Sequence, residues 1–291
     1  MADEKQFLSD IQSSDANVRF AAWRRAGEVS PSVIPEFGKL AASKEPAIAK
    51  AAREALTTMT HSVGKDSAAP NRAGVVKGLL QIKSADAFRL LSQIAGEDSV
   101  PAIAKSIGNP ELREEVVYCL ERIPGPAADK ALIAAYKDAA AEFKPRILAA
   151  LGHRRSAEAV ELCAEAARSA NQDISLAGVK AFGRIGKKSA APMKRMAFKD
   201  QPVWDKIDET DSMLRYADAQ AKEGNAAEAM RVYKTALAAP EEHWQCAAII
   251  GLAKIGTAEA AAAILPQLKS DNRTVRITAS KAWKSMAAVS G

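Results

Sequence analysis

The stretch DISLAGVKAFGRIG (residues 173–186) carries the start, body and stop of one α-helix. Asp173 precedes apolar residues at helical spacing, and Ile185-Gly186 ends the run. A second apolar stripe, residues 190–198, comes next. The phrase returns at residues 15–27 followed by 31–40, at 109–123 followed by 127–136, and at 244–256 followed by 258–268. Less regular pairs lie at 46–56 with 75–82, at 85–94 with 100–107, and at 143–151 with 157–167. This recurrence predicts helix pairs stacked in a row, each burying its apolar side only against its neighbours. A first helix around Phe7, Leu8 and Ile11, and a last one over residues 272–286, are expected to cover the ends.

Composition agrees. Of 291 residues, 48% are hydrophobic and 26% charged, the balance of a globular chain. Aromatics are only 5%, which leaves little wall for a large cofactor pocket. Cys119, Cys163 and Cys246 are too few and too separated for a disulfide framework and read as small buried residues. No run approaches the ~18 apolar residues of a membrane span. Met1-Ala2-Asp3-Glu4-Lys5 is polar from the start, so no signal peptide is expected. The expected compartment is the cytoplasm, with an exported domain that has lost its leader as the alternative. The net charge of +6 favours an anionic partner without choosing one.

The rhythm breaks once. Residues 199–211 are polar, contain Pro202 and carry Trp204, and read as a connector that Trp204 plugs where two kinds of pair meet. Trp23, Trp244 and Trp283 lie on helical stripes and read as core.

Asn17-Val18-Arg19, Leu112-Arg113 and Thr274-Val275-Arg276 resemble the opening of HEAT repeats. Gly183-Arg184-Ile185-Gly186 and Leu252-Ala253-Lys254-Ile255-Gly256 resemble the turn between their helices. The style is most similar to the bacterial HEAT-like repeats named after phycobilisome lyases. Between the HEAT-like parts, Leu214, Ala217, Ala221, Gly224, Ala229, Tyr233, Ala236 and Leu237 resemble a tetratricopeptide repeat. The resemblance implies an all-α, right-handed α-solenoid of about eight antiparallel helix pairs with a C-terminal capping helix. Its parts would be HEAT-like repeats over 1–200, a connector and tetratricopeptide-like pair over 201–239, and a HEAT-like pair with the cap over 240–291, all continuous. It also implies an Asp–Arg ladder between neighbouring repeats, for which Asp15/Arg19 and Asp271/Arg276 are the matching residues.

Candidate chemistry is sparse. His61, His153 and His243 lie in different pairs. His243 and Cys246 share a helix face, yet a closed metal site needs about four ligands, so no metal and no cofactor is expected. Glu114/Glu115 and Glu241/Glu242 sit at helix starts, where they suit the helix dipole. Gly183, Gly186, Lys187 and Lys188 lack the full phosphate-loop spacing. The strongest charge feature runs from Ile174 to Lys199, where Lys180, Arg184, Lys187, Lys188, Lys194, Arg195 and Lys199 meet no acid.

These observations lead to a non-enzymatic adaptor that binds a protein or peptide, of acidic character, on the wall formed by the second helices. The expected contact residues are Lys187, Lys188, Lys194, Arg195, Lys199, Trp204 and Lys234, with Lys39, Lys77 and Lys105 along the same wall. The alternative is a HEAT-like nucleic-acid-binding protein or alkylated-base DNA glycosylase built around Trp204-Asp205, or around Trp244 beside Glu241/Glu242. The basic residues are not concentrated over successive pairs, so nucleic acid is disfavoured. A bilin lyase subunit, which the repeat style also brings up, lacks a well-placed nucleophilic Cys.

Overall fold

The computed structural model describes residues 4–64, 66, 68–190, 193, 195 and 199–289, with side chains as far as Met286. All regular structure among them is helical. The chain forms two compact units, Met1–Ala139 and Ala140–Gly291.

The first unit contains α1 (Glu4–Ile11), α2 (Ala16–Arg24), α3 (Ile34–Ala41), α4 (Pro46–Gly64), α5 (Arg72–Ile82), α6 (Ala85–Ile94), α7 (Val100–Ala104), α8 (Arg113–Arg122) and α9 (Pro126–Asp138). α2, α4, α6 and α8 pack in succession, so one helix of each pair rests on its counterpart in the next. Of their partners, α3 lies against α5 and α7 against α9. Ile34, Phe37, Leu79, Leu91, Ile103, Leu120 and Leu132 are buried among these helices. α4 continues past the apolar stripe at 46–56 as far as Gly64.

Helix starts follow a shared design. Ser13 Oγ accepts the Asp15 N–H at 3.1 Å, and Asp15 Oδ1 accepts the Asn17 N–H at 2.8 Å. The same turn recurs at Ser43/Glu45, Ser169/Asn171 and Ser270/Asn272. Each satisfies amide donors that the first helical turn leaves without partners. Arg19 Nη1 donates to the carbonyls of Ser13 and Ser14, and Arg276 Nη1 to those of Ser270 and Asp271. Both arginines therefore brace the turn before their own helix, where the resemblance implied a ladder to the next repeat. Cross-repeat ion pairs exist, but other residues make them. Arg53 of α4 faces Asp86 of α6 at 3.5 Å, and Arg89 of α6 meets Glu115 of α8 at 2.7 Å.

The second unit contains α10 (Lys144–His153), α11 (Val160–Ala166), α12 (Gln172–Ile185), α13 (Val203–Lys222), α14 (Ala226–Leu237), α15 (Glu242–Ile255), α16 (Ala258–Ile264) and α17 (Arg273–Val289). α10, α12, α13, α15 and α17 pack one on the next. α11 pairs with α12, α14 with α13 and α15, and α16 with α15 and α17. Most of the stripe at 190–198 lies outside the described residues, and its described members Ala190, Met193 and Arg195 are not helical. The polar stretch 199–211 is not a connector throughout. Pro202 sits at the N-cap of a twenty-residue helix whose first turns it supplies. A proline is tolerated there because no intrahelical partner is lost.

Small residues set how closely the helices of this unit approach. A Cβ at Gly183 would fall on the backbone of Ser212 in α13, and one at Gly251 on the ring of Tyr233 in α14. We expect Gly183→Ala to cost about 3 kcal/mol, since neither backbone can yield to the added methyl. Gly224, with φ +82° and open space around it, is the contrast: Gly224→Ala costs only about 1 kcal/mol of left-handed strain. Urea unfolding of the two variants checks the difference.

Candidate functional site

Three cations of the run are matched from within. Lys180 Nζ lies 2.6 Å from Asp208 Oδ2, and Lys187 pairs with Glu223. Arg195, its side chain only 3% exposed, donates from Nη1 to Glu209 Oε2 at 2.6 Å and faces Asp205 at 3.7 Å. Its Nε also reaches Ser175 Oγ of α12 at 3.4 Å. Three of these acids belong to α13, where Asp205, Asp208 and Glu209 share one face at helical spacing, and Glu223 is its C-cap. Arg195 is therefore an internal strut between α12 and α13, which corrects its expected role as a surface contact. Lys234 is likewise engaged, by Glu259 at 2.6 Å. Lys188 and Lys199 are exposed, and Lys194 lies outside the described residues.

Trp204 is 77% exposed beside an exposed Val203 at the start of α13, so it plugs nothing. Of the tryptophans read as core, Trp244 is buried and Trp283 is 37% exposed. These positions leave the base-excision constellation unassembled. Asp205 takes the Gln172 amide at 2.8 Å in addition to facing Arg195, and Trp244 is inside the protein. Among the described residues, no His, Cys, Asp and Glu group is placed to hold a metal ion. Among the described residues, no helix is long and apolar enough to cross a membrane.

The pair α13 and α14 is held by two tyrosines. Tyr216 donates to Glu228 Oε1 at 3.1 Å, and Tyr233 to Asp218 Oδ1 at 2.6 Å. Burial, helped by the carboxylate beside each, pushes both phenols above their usual range. The hydrogen bonds from Arg231 hold the Glu228 carboxyl below the usual range, with Tyr216 and Lys188 adding to the effect and burial opposing it. Ordinary pH changes thus leave both phenols protonated as donors.

A further feature of the first unit is an open groove beside α5. In the first unit a cavity of about 600 Å³ lies between α5 and α7. Ala73, Val76, Lys77 and Leu80 recur at i, i+3, i+4 and i+7 on α5 and form one wall, with Ala102 of α7 and Ile94 completing it. Lys77 is exposed and has no ion pair among the described residues. Lys77 stood in the expected wall, whereas the apolar stripe around it was read only as core. Its exposure could not be told from spacing, since the partner row closes elsewhere, between α3 and α5 and between α7 and α9.

No protein-family model matches the chain, and no curated protein does. Among solved structures it is similar to a crystal structure of an engineered protein, at 17% identity over 99% of this chain and 89% of that one, with a TM-score of 0.43. It is also similar to human deoxyhypusine hydroxylase in complex with glycerol, at 14% identity over 91% of this chain and 99% of that one, with a TM-score of 0.27. At these identities and TM-scores the likeness is of helical, repeat-like architecture and transfers no activity.

Two measurements check this account. Arg195→Met should cost about 2–3 kcal/mol in urea unfolding, because Glu209 and Asp205 lose their buried partner. Trp204→Ala should stay within about 0.5 kcal/mol of the parent. Burial pushes the Cys119 and Cys163 thiols up to about 12, so at pH 8 both remain protonated and enclosed. A thiol reagent should label the half-buried Cys246 first, and mass spectrometry of the folded protein reads the order.

Proposed function

We propose that each unit is a stretch of right-handed, HEAT-like α-solenoid and that the protein is a non-catalytic adaptor. Its ligand is a protein segment held along the second helices of the first unit. The observation that carries this reading is the groove between α5 and α7, apolar on its floor and bearing the exposed cation Lys77. Val76 and Leu80 offer an anchor for an aliphatic side chain, and Lys77 selects a carboxylate near it. A metabolite enzyme would need convergent ionisable groups in an enclosed pocket. Here the groove is open, and the polar side chains along it are Arg72, Lys77, Asp98 and Ser99.

Selection of a random dodecapeptide library on the full chain tests this. Enriched peptides are expected to share an aliphatic anchor with an acidic neighbour. Their affinity should fall at least tenfold, or 1.4 kcal/mol, on Leu80→Arg. Failure to converge, or binding that Leu80→Arg leaves unchanged, would refute the groove as the site.

A further inference from the structure

The charge of this protein is unevenly divided. Met1–Ala139 contains 18 Lys and Arg against 18 Asp and Glu, and Ala140–Gly291 contains 23 against 17. The whole surplus of six therefore belongs to the second unit. Three cations of the basic run do not express it, since Asp208 and Glu209 of α13 and Glu223 at its C-cap neutralise Lys180, Arg195 and Lys187.

α17 does express it. Arg273–Val289 contains four basic residues and no acidic one. Arg276 is engaged with the Ser270 and Asp271 carbonyls. The other three, Arg273, Lys281 and Lys284, are exposed and have no side-chain partner among the described residues. With Ile277 they recur at i, i+4, i+8 and i+11, which places them on one helix face. Ile277 is 44% exposed within that cationic frame, and Trp283 stands beside Lys284. The opposite side of the helix is occupied, because Val275, Ala279 and Ala282 are buried against the unit. α15 packs alongside, where Thr278 Oγ1 meets Cys246 Sγ at 3.4 Å, and it adds the exposed Ile250 and the unpaired Lys254.

We propose that this face of α17 is a second docking surface, distinct from the α5–α7 groove and independent of it, whose partner is an acidic amphipathic helix of another protein. Carboxylates at helical spacing meet Arg273, Lys281 and Lys284, and an aliphatic side chain covers Ile277 and Ile250. The pattern is that of a protein interface, an apolar centre inside a charged rim. A phosphate backbone is a poorer fit, because the centre of the face is aliphatic and only three free cations frame it. A lipid surface is poorer still, since the apolar side that would insert is already buried in the fold.

The probe is a labelled eighteen-residue helix with Glu at i, i+4, i+8 and i+11 flanking two Leu, followed by fluorescence anisotropy with the full chain. Saturable binding is expected for the Glu peptide and at least tenfold weaker binding for the same peptide with Gln. Ile277→Glu and Lys281→Glu/Lys284→Glu should each weaken the Glu peptide tenfold, with an unchanged circular dichroism melt. Lys281→Gln/Lys284→Gln provides the same reading should the Glu pair disturb folding. Leu80→Arg should leave this binding intact, which separates it from the groove. Equal binding of Glu and Gln peptides, or no effect of the α17 variants, would overturn the proposal. So would tighter binding to duplex DNA or phosphatidylserine vesicles than to the peptide.

Discussion

Helix backbones in this protein touch through glycine and alanine, and that close approach governs the rest. At Gly178 and Gly183 there is no room even for a methyl group, because the backbones of Ala167 and Ser212 lie against them. Packing at this distance excludes large side chains from those contacts. At Gly251 the missing side chain serves the opposite end, since the ring of Tyr233 fills the space.

Electrostatics follows the same geometry. With α12 and α13 side by side, cations on one meet carboxylates on the other. Arg195 is buried only because Glu209, Asp205 and Ser175 surround its guanidinium. Such a strut contributes little beyond what an apolar replacement would give, but breaking it from one side leaves charge stranded. Net charge is therefore a poor guide to this surface. What counts is which cations lack a partner, and Arg273, Lys281, Lys284, Lys254 and Lys77 are among them.

Helical architecture was legible from periodicity and stop residues, since the stripes ending in Gly186 and Gly256 become α12 and α15 as spaced. Pro202 misled, because a proline among polar residues looks the same in a connector and at a helix start. Had 203–222 been read as helix, the i, i+3, i+4 spacing of Asp205, Asp208 and Glu209 would have announced partners for the basic run. The fate of Arg19 and Arg276 was hidden for another reason: their acceptors are backbone carbonyls, which every sequence has. Exposure of Ile277 and Trp283 was equally hidden. An apolar residue on a helix reads as core until its neighbours are known.

The carboxylates that join successive pairs lie at nearly constant distance along the chain. Glu4 accepts from Ser32 Oγ, Glu97 from the Ala127 N–H and Glu161 from the Ala190 N–H, at separations of 28, 30 and 29 residues. Each bond ties a residue of one module to the opening of the next, whichever modules those happen to be. These three ties therefore fix neighbouring modules at separations of 28, 30 and 29 residues, so that an insertion between acceptor and donor would have to be looped out to keep them.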